Sequence, residues 1–155
     1  MSEKLVGMTA ILAGLVEASA LATAGPDGPA HILVVEDNLM NQEIMATLLR
    51  YAGYEVTVVD NGRAGYEAVQ DSEYDLVLMD LEMPVMGGIE AAHRIRDLGR
   101  TIRQIPIIAI TANSIGDEGE RCRRAGMNGF MTKPTSMRDL LQAARQWIGQ
   151  APAVG

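Results

Sequence analysis

Leu76-Val77-Leu78-Met79-Asp80-Leu81-Glu82-Met83-Pro84 opens on an unbroken apolar run, passes a carboxylate and reaches a proline. Apolar residues from Leu76 to Met79 with no polar alternate read as a strand buried on both faces, the habit of a parallel sheet covered by helices. Pro84 and Gly87-Gly88 then form a loop, and Ile89 to Leu98 resumes with helical spacing, Ile89, Ala92 and Ile95 turned inward. Strand, loop and helix in that order make a βα unit.

The unit recurs on either side. Ile32 to Val35 is a first strand, and Asn38 can cap a helix running to about Ala52, with Gly53 as its stop and Leu39, Ile44, Leu48 and Leu49 on its buried side. Glu55 to Val59 is a second strand, ended by Asp60-Asn61-Gly62 and followed by a short helix through Val69. Beyond the central unit, Ile105 to Ile110 is a fourth strand and a helix passes through Ile115, Gly119, Cys122 and Ala125. Gly129 to Thr132 is a short fifth strand, and Ser136-Met137-Arg138-Asp139 resembles a capping box that opens a last helix to about Ile148. The expected fold is α/β, a doubly wound five-stranded parallel sheet with five helices. In the order 2-1-3-4-5, strands one and three are neighbours at the switch point.

A chain of 155 residues holds one domain with a full core. Its core is aliphatic, because only 4% of residues are aromatic. A net charge of −7 without any dense basic run argues against direct contact with nucleic acid. The single cysteine, Cys122, excludes an intramolecular disulfide and suits a reducing cytoplasm. At the start, Lys4, the apolar residues from Leu5 to Val16 and then Ala18, Ser19 and Ala20 imitate an export signal. Glu3 and Glu17 spoil the imitation, and the run falls short of the roughly 20 residues that span a bilayer, so membrane insertion is not expected. Leu5, Met8, Leu12, Leu15 and Ala22 instead suit a short amphipathic helix, or else a linker remnant of a longer protein. Gly25-Pro26-Asp27-Gly28-Pro29 separates this segment from the rest, giving residues 1–29 as segment and linker, 30–150 as the domain and 151–155 as a tail.

In a doubly wound sheet, ligands bind beyond the carboxyl ends of the strands. Those ends carry Glu36 and Asp37, then Asp60, Asp80, Thr111 and Lys133. Strands one and three as neighbours bring Glu36, Asp37 and Asp80 together and leave Asp60 as a turn residue on the edge. Three carboxylates facing one lysine repel one another unless a cation sits among them, and hard oxygen ligands favour Mg²⁺ (or Mn²⁺) over zinc. Magnesium commonly takes one or two carboxylates together with phosphate oxygens, which makes a phosphoryl group the natural missing ligand.

The set Val35-Glu36-Asp37-Asn38, Leu78-Met79-Asp80-Leu81-Glu82-Met83-Pro84, Ile110-Thr111-Ala112 and Thr132-Lys133-Pro134 resembles the receiver domains of bacterial response regulators over about residues 30 to 150. Met40-Asn41-Gln42, Met83-Pro84-Val85-Met86-Gly87-Gly88 and Ala125-Gly126-Met127 also resemble the receivers of hybrid histidine kinases. The resemblance implies a flavodoxin-like fold and a two-component or phosphorelay role, in a hybrid histidine kinase or in a stand-alone regulator without an output domain. It further implies a phosphoryl group passed from a histidine kinase or histidine phosphotransfer protein to Asp80, with a changed protein-binding face as output. By position it makes Asp37, Asp80 and the Glu82 backbone carbonyl ligands of the metal, with Glu36 acting through water. Lys133, the Thr111 hydroxyl and the Ala112 amide would hold the phosphoryl oxygens. Thr111 and Phe130 match the switch pair, and Glu82 and Asn113 match positions that tune hydrolysis of the acyl phosphate. Two other classes stand beside this one. A haloacid-dehalogenase-type phosphohydrolase also pairs an aspartate nucleophile with an acidic residue two positions on, although its aspartate follows the first strand. A pseudo-receiver would be a binding scaffold without phosphorylation.

Other features have plainer readings. Met79, Met83, Met86, Met127 and Met131 suit gap-filling core positions, and Cys122 suits the inward stripe of its helix. His31 and His93 read as solvated, as do Arg94, Arg96, Arg100, Arg103, Arg121, Arg123 and Arg124, whose alternative is a surface for an acidic partner. Gly116 and Gly119 weaken the fourth helix and make it, with Thr111 and Phe130, the expected moving face.

Overall fold

The computed structural model describes residues 28–99, 104–112, 117–133 and 136–149. Five parallel strands, β1 (His31–Val35), β2 (Glu55–Val59), β3 (Leu76–Asp80), β4 (Ile107–Thr111) and β5 (Gly129–Thr132), form one sheet in the order β2-β1-β3-β4-β5. Helices α1 (Leu39–Tyr51), α2 (Gly62–Asp71), α3 (Gly88–Arg96), α4 (Glu118–Arg124) and α5 (Met137–Gly149) alternate with them. This is the doubly wound, flavodoxin-like sheet expected from the apolar runs. The N-terminal amphipathic segment, Ile115, Gly116 and the tail lie outside the described residues.

The alternation of side chains along each strand sorts the core into two layers. Ile32 and Val34 of β1, Leu76 and Leu78 of β3, and Ile108 and Ile110 of β4 pack with Met45, Leu48 and Leu49 of α1 and Leu140, Leu141 and Ala144 of α5. Leu33, Val35, Val77, Met79, Ile107 and Ala109 face the other way, onto Val69 of α2, Ala91, Ala92 and Ile95 of α3, and Cys122 of α4. β3 and β4 are buried at every position, so each Leu, Val, Ile and Met side chain there contributes about 1.5–3 kcal/mol. Met79, Met86 and Met127 are core residues, as expected of gap-fillers.

Local chemistry sets the ends of the helices. The Asn38 side chain accepts from the Asn41 amide at 3.0 Å, Asn61 from Ala64 at 2.8 Å and Ser136 from Asp139 at 3.0 Å. After α1 the chain turns at Gly53 with φ of +103°, where a side chain would be strained.

Several details depart from expectation. Leu39 and Ile44 are exposed rather than buried, at 75% and 47%. They sit in the first turns of α1, beyond the end of β1, and the helix begins to bury its apolar side only at Met45. β4 begins at Ile107, not Ile105, because Pro106 has no amide hydrogen to offer the ladder. His31 is half-buried, its Nε2 sharing a hydrogen bond with Thr57 Oγ1 at 2.7 Å while the ring leans on Tyr74. Arg96 is not merely solvated. It donates to the Gly126 carbonyl and to Asn128 Oδ1, both at 2.8 Å, tying α3 to the turn before β5. Burial lowers its pKa to about 10, which leaves it charged at neutral pH.

Candidate functional site

Register assembles the site. β1 pairs with β3 so that Val35 lies beside Met79, and the residues that follow, Glu36 just past β1 and Asp80 at the end of β3, stand at the same level of the sheet's carboxyl edge. Oxygens of Glu36, Asp37 and Asp80 lie within 4.8 Å of one another. Glu36 and Asp80 are buried and Asp37 is exposed, so the cluster has a floor and an open mouth. From the far edge, the Lys133 amide donates to the Thr111 carbonyl at 2.7 Å and extends the β4–β5 pairing past its last residues. Lys133 Nζ then reaches Asp80 Oδ2 at 3.0 Å and Glu36 Oε1 at 3.1 Å. Thr111 ends β4 wholly buried, and Ala112 is exposed beside it. Asp60 is exposed at the end of edge strand β2, where it accepts from its neighbour Asn61. The structure thus brings together Glu36, Asp37, Asp80 and Lys133 and leaves Asp60 outside. Asn113 and Pro134 fall outside the described residues.

The loop after Asp80 is fixed by backbone contacts. The Glu82 amide donates to Asp80 Oδ1 at 3.1 Å, and Leu81 donates to the Ile110 carbonyl at 3.1 Å. Gly88 donates to the Leu81 carbonyl at 3.1 Å, and a Cβ at Gly88 would stand only 2.4 Å from the Asp80 carbonyl oxygen. Only glycine allows α3 to start so close behind the carboxylate. Between Pro84 and Met86, whose carbonyl and amide bond at 2.7 Å, Val85 takes φ of +69° and is 76% exposed. Glu36 has its own supports, since the Asn38 amide donates to Oε2 at 3.1 Å and Gln42 Nε2 donates to the Glu36 carbonyl at 2.6 Å. Sequence reasoning missed Gln42, Gly88 and Val85. Gln42 and Val85 stood within the patterns that resemble hybrid-kinase receivers but were given no role, and Gly87-Gly88 was read as a loop marker.

Charge in this pocket is unbalanced. Burial raises the pKa of Glu36, and the Asp80 charge raises it further against the pull of the Asn38 amide and Lys133. Burial alone would lower the Lys133 ammonium, but the hydrogen bond and charge of Asp80, with the charge of Glu36, outweigh it and leave the pKa raised. Lys133 is close to Glu36 Oε1 but off the line of a hydrogen bond, and that buried oxygen accepts none among the described residues. An orphaned carboxylate oxygen beside two further carboxylates is a place where a divalent cation fits, and an all-oxygen donor set suits a hard ion. The cluster of Glu36, Asp37 and Asp80 can hold a metal.

Comparison with known proteins places this geometry in a family. The profile of the response regulator receiver domain matches residues 32–145. The chain belongs to the receiver family. It is 40% identical over 123 residues to the sensor protein GacS of Pseudomonas syringae pv. syringae, a match that covers 78% of this chain and 14% of that protein. The crystal structure of the receiver domain of sensor histidine kinase PA1611 from Pseudomonas aeruginosa PAO1, with a magnesium ion in its active-site cleft, superposes with a TM-score of 0.72. That pair is 39% identical, covering 77% of this chain and 98% of the other. A co-crystal structure of the Saccharomyces cerevisiae phosphotransfer protein Ypd1 with the receiver domain of Ssk1 matches at a TM-score of 0.73 and 28% identity, covering 81% and 93%. The chain is a receiver domain of the two-component and phosphorelay type, a signalling phosphoacceptor rather than a conventional enzyme. Among the described residues no helix is long and apolar enough to cross a membrane.

Proposed function

We propose that residues 30–150 form a receiver unit in which Asp80 takes a phosphoryl group from a phosphohistidine, with Mg²⁺ (or Mn²⁺) at the Glu36, Asp37 and Asp80 cluster. The observation that carries this reading is the meeting of three carboxylates and one ammonium at the centre of the sheet's carboxyl edge, with one buried Glu36 oxygen that accepts no hydrogen bond among the described residues. An Asp80 carboxylate oxygen attacks phosphorus, an O–P bond forms as the N–P bond breaks, and the departing imidazole keeps a proton. Because the chain supplies this chemistry itself, a small phosphodonor can replace the protein donor. Lys133 holds the free carboxylate of Asp80 and is placed to grip a phosphoryl oxygen once the acyl phosphate forms. The Thr111 hydroxyl and the Ala112 amide take further oxygens. The metal, held by Asp37, Asp80, the Glu82 carbonyl and Glu36 through water, would neutralise charge on the transferring group.

Thr111 and Phe130 form the switch pair in this reading, while Glu82 and Asn113 set the lifetime of the phosphoryl group. The donor is a histidine kinase or histidine phosphotransfer protein. Leu39, Met40 and Ile44 on α1 and Val85 beside the mouth are exposed apolar residues suited to receiving it, and the Ypd1 co-crystal provides a precedent. Similarity to the receiver domain of a sensor histidine kinase supports a hybrid histidine kinase as the setting, and in the same reading residues 1–29 are a preceding segment and the location is cytoplasmic.

Acetyl phosphate tests the assignment. With Mg²⁺, intact mass should show one added phosphoryl group on the wild-type chain, and none in EDTA or in Asp80→Asn. Equal addition to Asp80→Asn would sink it. Repeated turnover of phosphate esters would favour a phosphohydrolase, and absence of any addition a binding scaffold.

A further inference from the structure

Phe130 is the single phenylalanine of the chain. It stands on edge strand β5 with 44% of its surface exposed. Its register partner on β4 is Ala109, and Thr111 pairs with Thr132. Residues two apart on a strand share a face, so Phe130, Ala109 and Thr111 all lie on the side of the sheet that Cys122 of α4 covers.

Against the ring, α4 presents a residue without a side chain. A Cβ built on Gly119 would stand 3.1 Å from Phe130 Cε1, 3.7 Å from Cζ and 3.8 Å from Cδ1. The ring therefore rests on bare helix backbone and lines a groove of about 380 Å³ together with Cys122, Arg123 and Met127. Glycine is a poor helix former, and α4 has only seven residues in which to offset it. The space above Gly119 gives that choice a use.

We infer that Gly119 is a positioning residue whose lack of a side chain seats the Phe130 ring outward on α4, so that filling the seat redirects the ring toward Ala109 and Thr111. The inference deepens the reading of Thr111 and Phe130 as a switch pair and rests on it for its functional meaning. α4 then carries the information: a shift of its first turn moves the seat, and the ring follows.

A single phenylalanine makes the ring directly observable. The full chain labelled with 4-fluorophenylalanine has one ¹⁹F probe, and the difference between its shifts in H₂O and D₂O reports exposure. In the wild type without ligand that difference should be large. Gly119→Ala, checked for folding by circular dichroism, should move the resonance and shrink its solvent response. An unchanged or more solvent-sensitive resonance would overturn the inference. A thermal cycle gives a second reading. Alanine is the better helix former, so Gly119→Ala should raise Tm in a Phe130→Ala background and raise it less, or lower it, when Phe130 is present. An equal rise in both backgrounds would also overturn it. Adding Mg²⁺ and beryllofluoride, an acyl-phosphate mimic, to the labelled wild type separates the two readings. A resonance that ignores the mimic removes the switch pair, while the comparison of Gly119→Ala with wild type still decides the seat.

Discussion

Val85 is the described non-glycine residue with positive φ, at +69°, and it sits in the loop that follows Asp80. A β-branched side chain enters that region at a cost of about 1–3 kcal/mol. Since Val85 is 76% exposed, core packing does not explain why the strain is kept. Val85→Asn should therefore raise stability by about 1 kcal/mol, read as a higher urea midpoint with an unchanged m-value, and a lower midpoint would show that the valine makes a contact worth more than its strain. The strain was invisible in the sequence because nothing in Met83-Pro84-Val85-Met86 marks the sign of a backbone angle. Asp80, Glu36, Asp37 and Lys133 were legible for the opposite reason. Their chemistry follows from residue type and from standing at strand ends, and the sheet needed only to bring them into register. Arg96 and Gly88 were not, because what each does depends on a neighbour remote in sequence or on a backbone that approaches too closely for any other side chain.

α1 does two things along its length. From Met45 onward it packs on the sheet, whereas its first turns expose Leu39, Met40 and Ile44 next to the acidic cluster. Surface substitutions away from packing usually change stability by within about 0.5 kcal/mol, and an acidic residue suits the first turn of a helix. Met40→Asp should leave Tm nearly unchanged and leave labelling by acetyl phosphate intact. Transfer from a phosphorylated histidine-containing partner should slow by about tenfold or more, the loss of roughly 1.4 kcal/mol of contact. Equal rates for wild type and variant with the protein donor would remove α1 from the docking face. Helix starts were legible through Asn38, Asn61 and Ser136, whose side-chain caps act within a few residues. The direction of the apolar stripe on α1 was not, because periodicity alone says nothing about where the sheet beneath a helix ends.

The sheet as a whole concentrates like charge at its centre, and folding must hold it there. Burial raises the Glu36 carboxyl above its ordinary 4.5, so the folded protein keeps a proton that the unfolded chain releases. Stability must then fall as pH climbs from 4.5 through the raised value. Lys133 is shifted upward from 10.5, so its contribution is complete below that value and is lost only as pH rises through the raised one. In EDTA, the Tm of Glu36→Gln should gain on that of the wild type as pH rises from about 4.5 to neutrality, and Mg²⁺ should erase or reverse the gain. A difference independent of pH would mean that Glu36 is comfortable as an anion without metal. Strand order was the most legible property of the molecule, since uninterrupted apolar runs separated by helical segments admit few other topologies. Which carboxylate among those gathered there carries the phosphoryl group is the central claim, and a chemical trap tests it most directly. Borohydride reduces an aspartyl phosphate to homoserine, so the chain treated with acetyl phosphate and Mg²⁺, reduced and digested, should yield a peptide with homoserine at position 80. Homoserine at position 37 or 60 instead, or a donor-dependent mass gain that leaves Asp80 unreduced, would contradict the account.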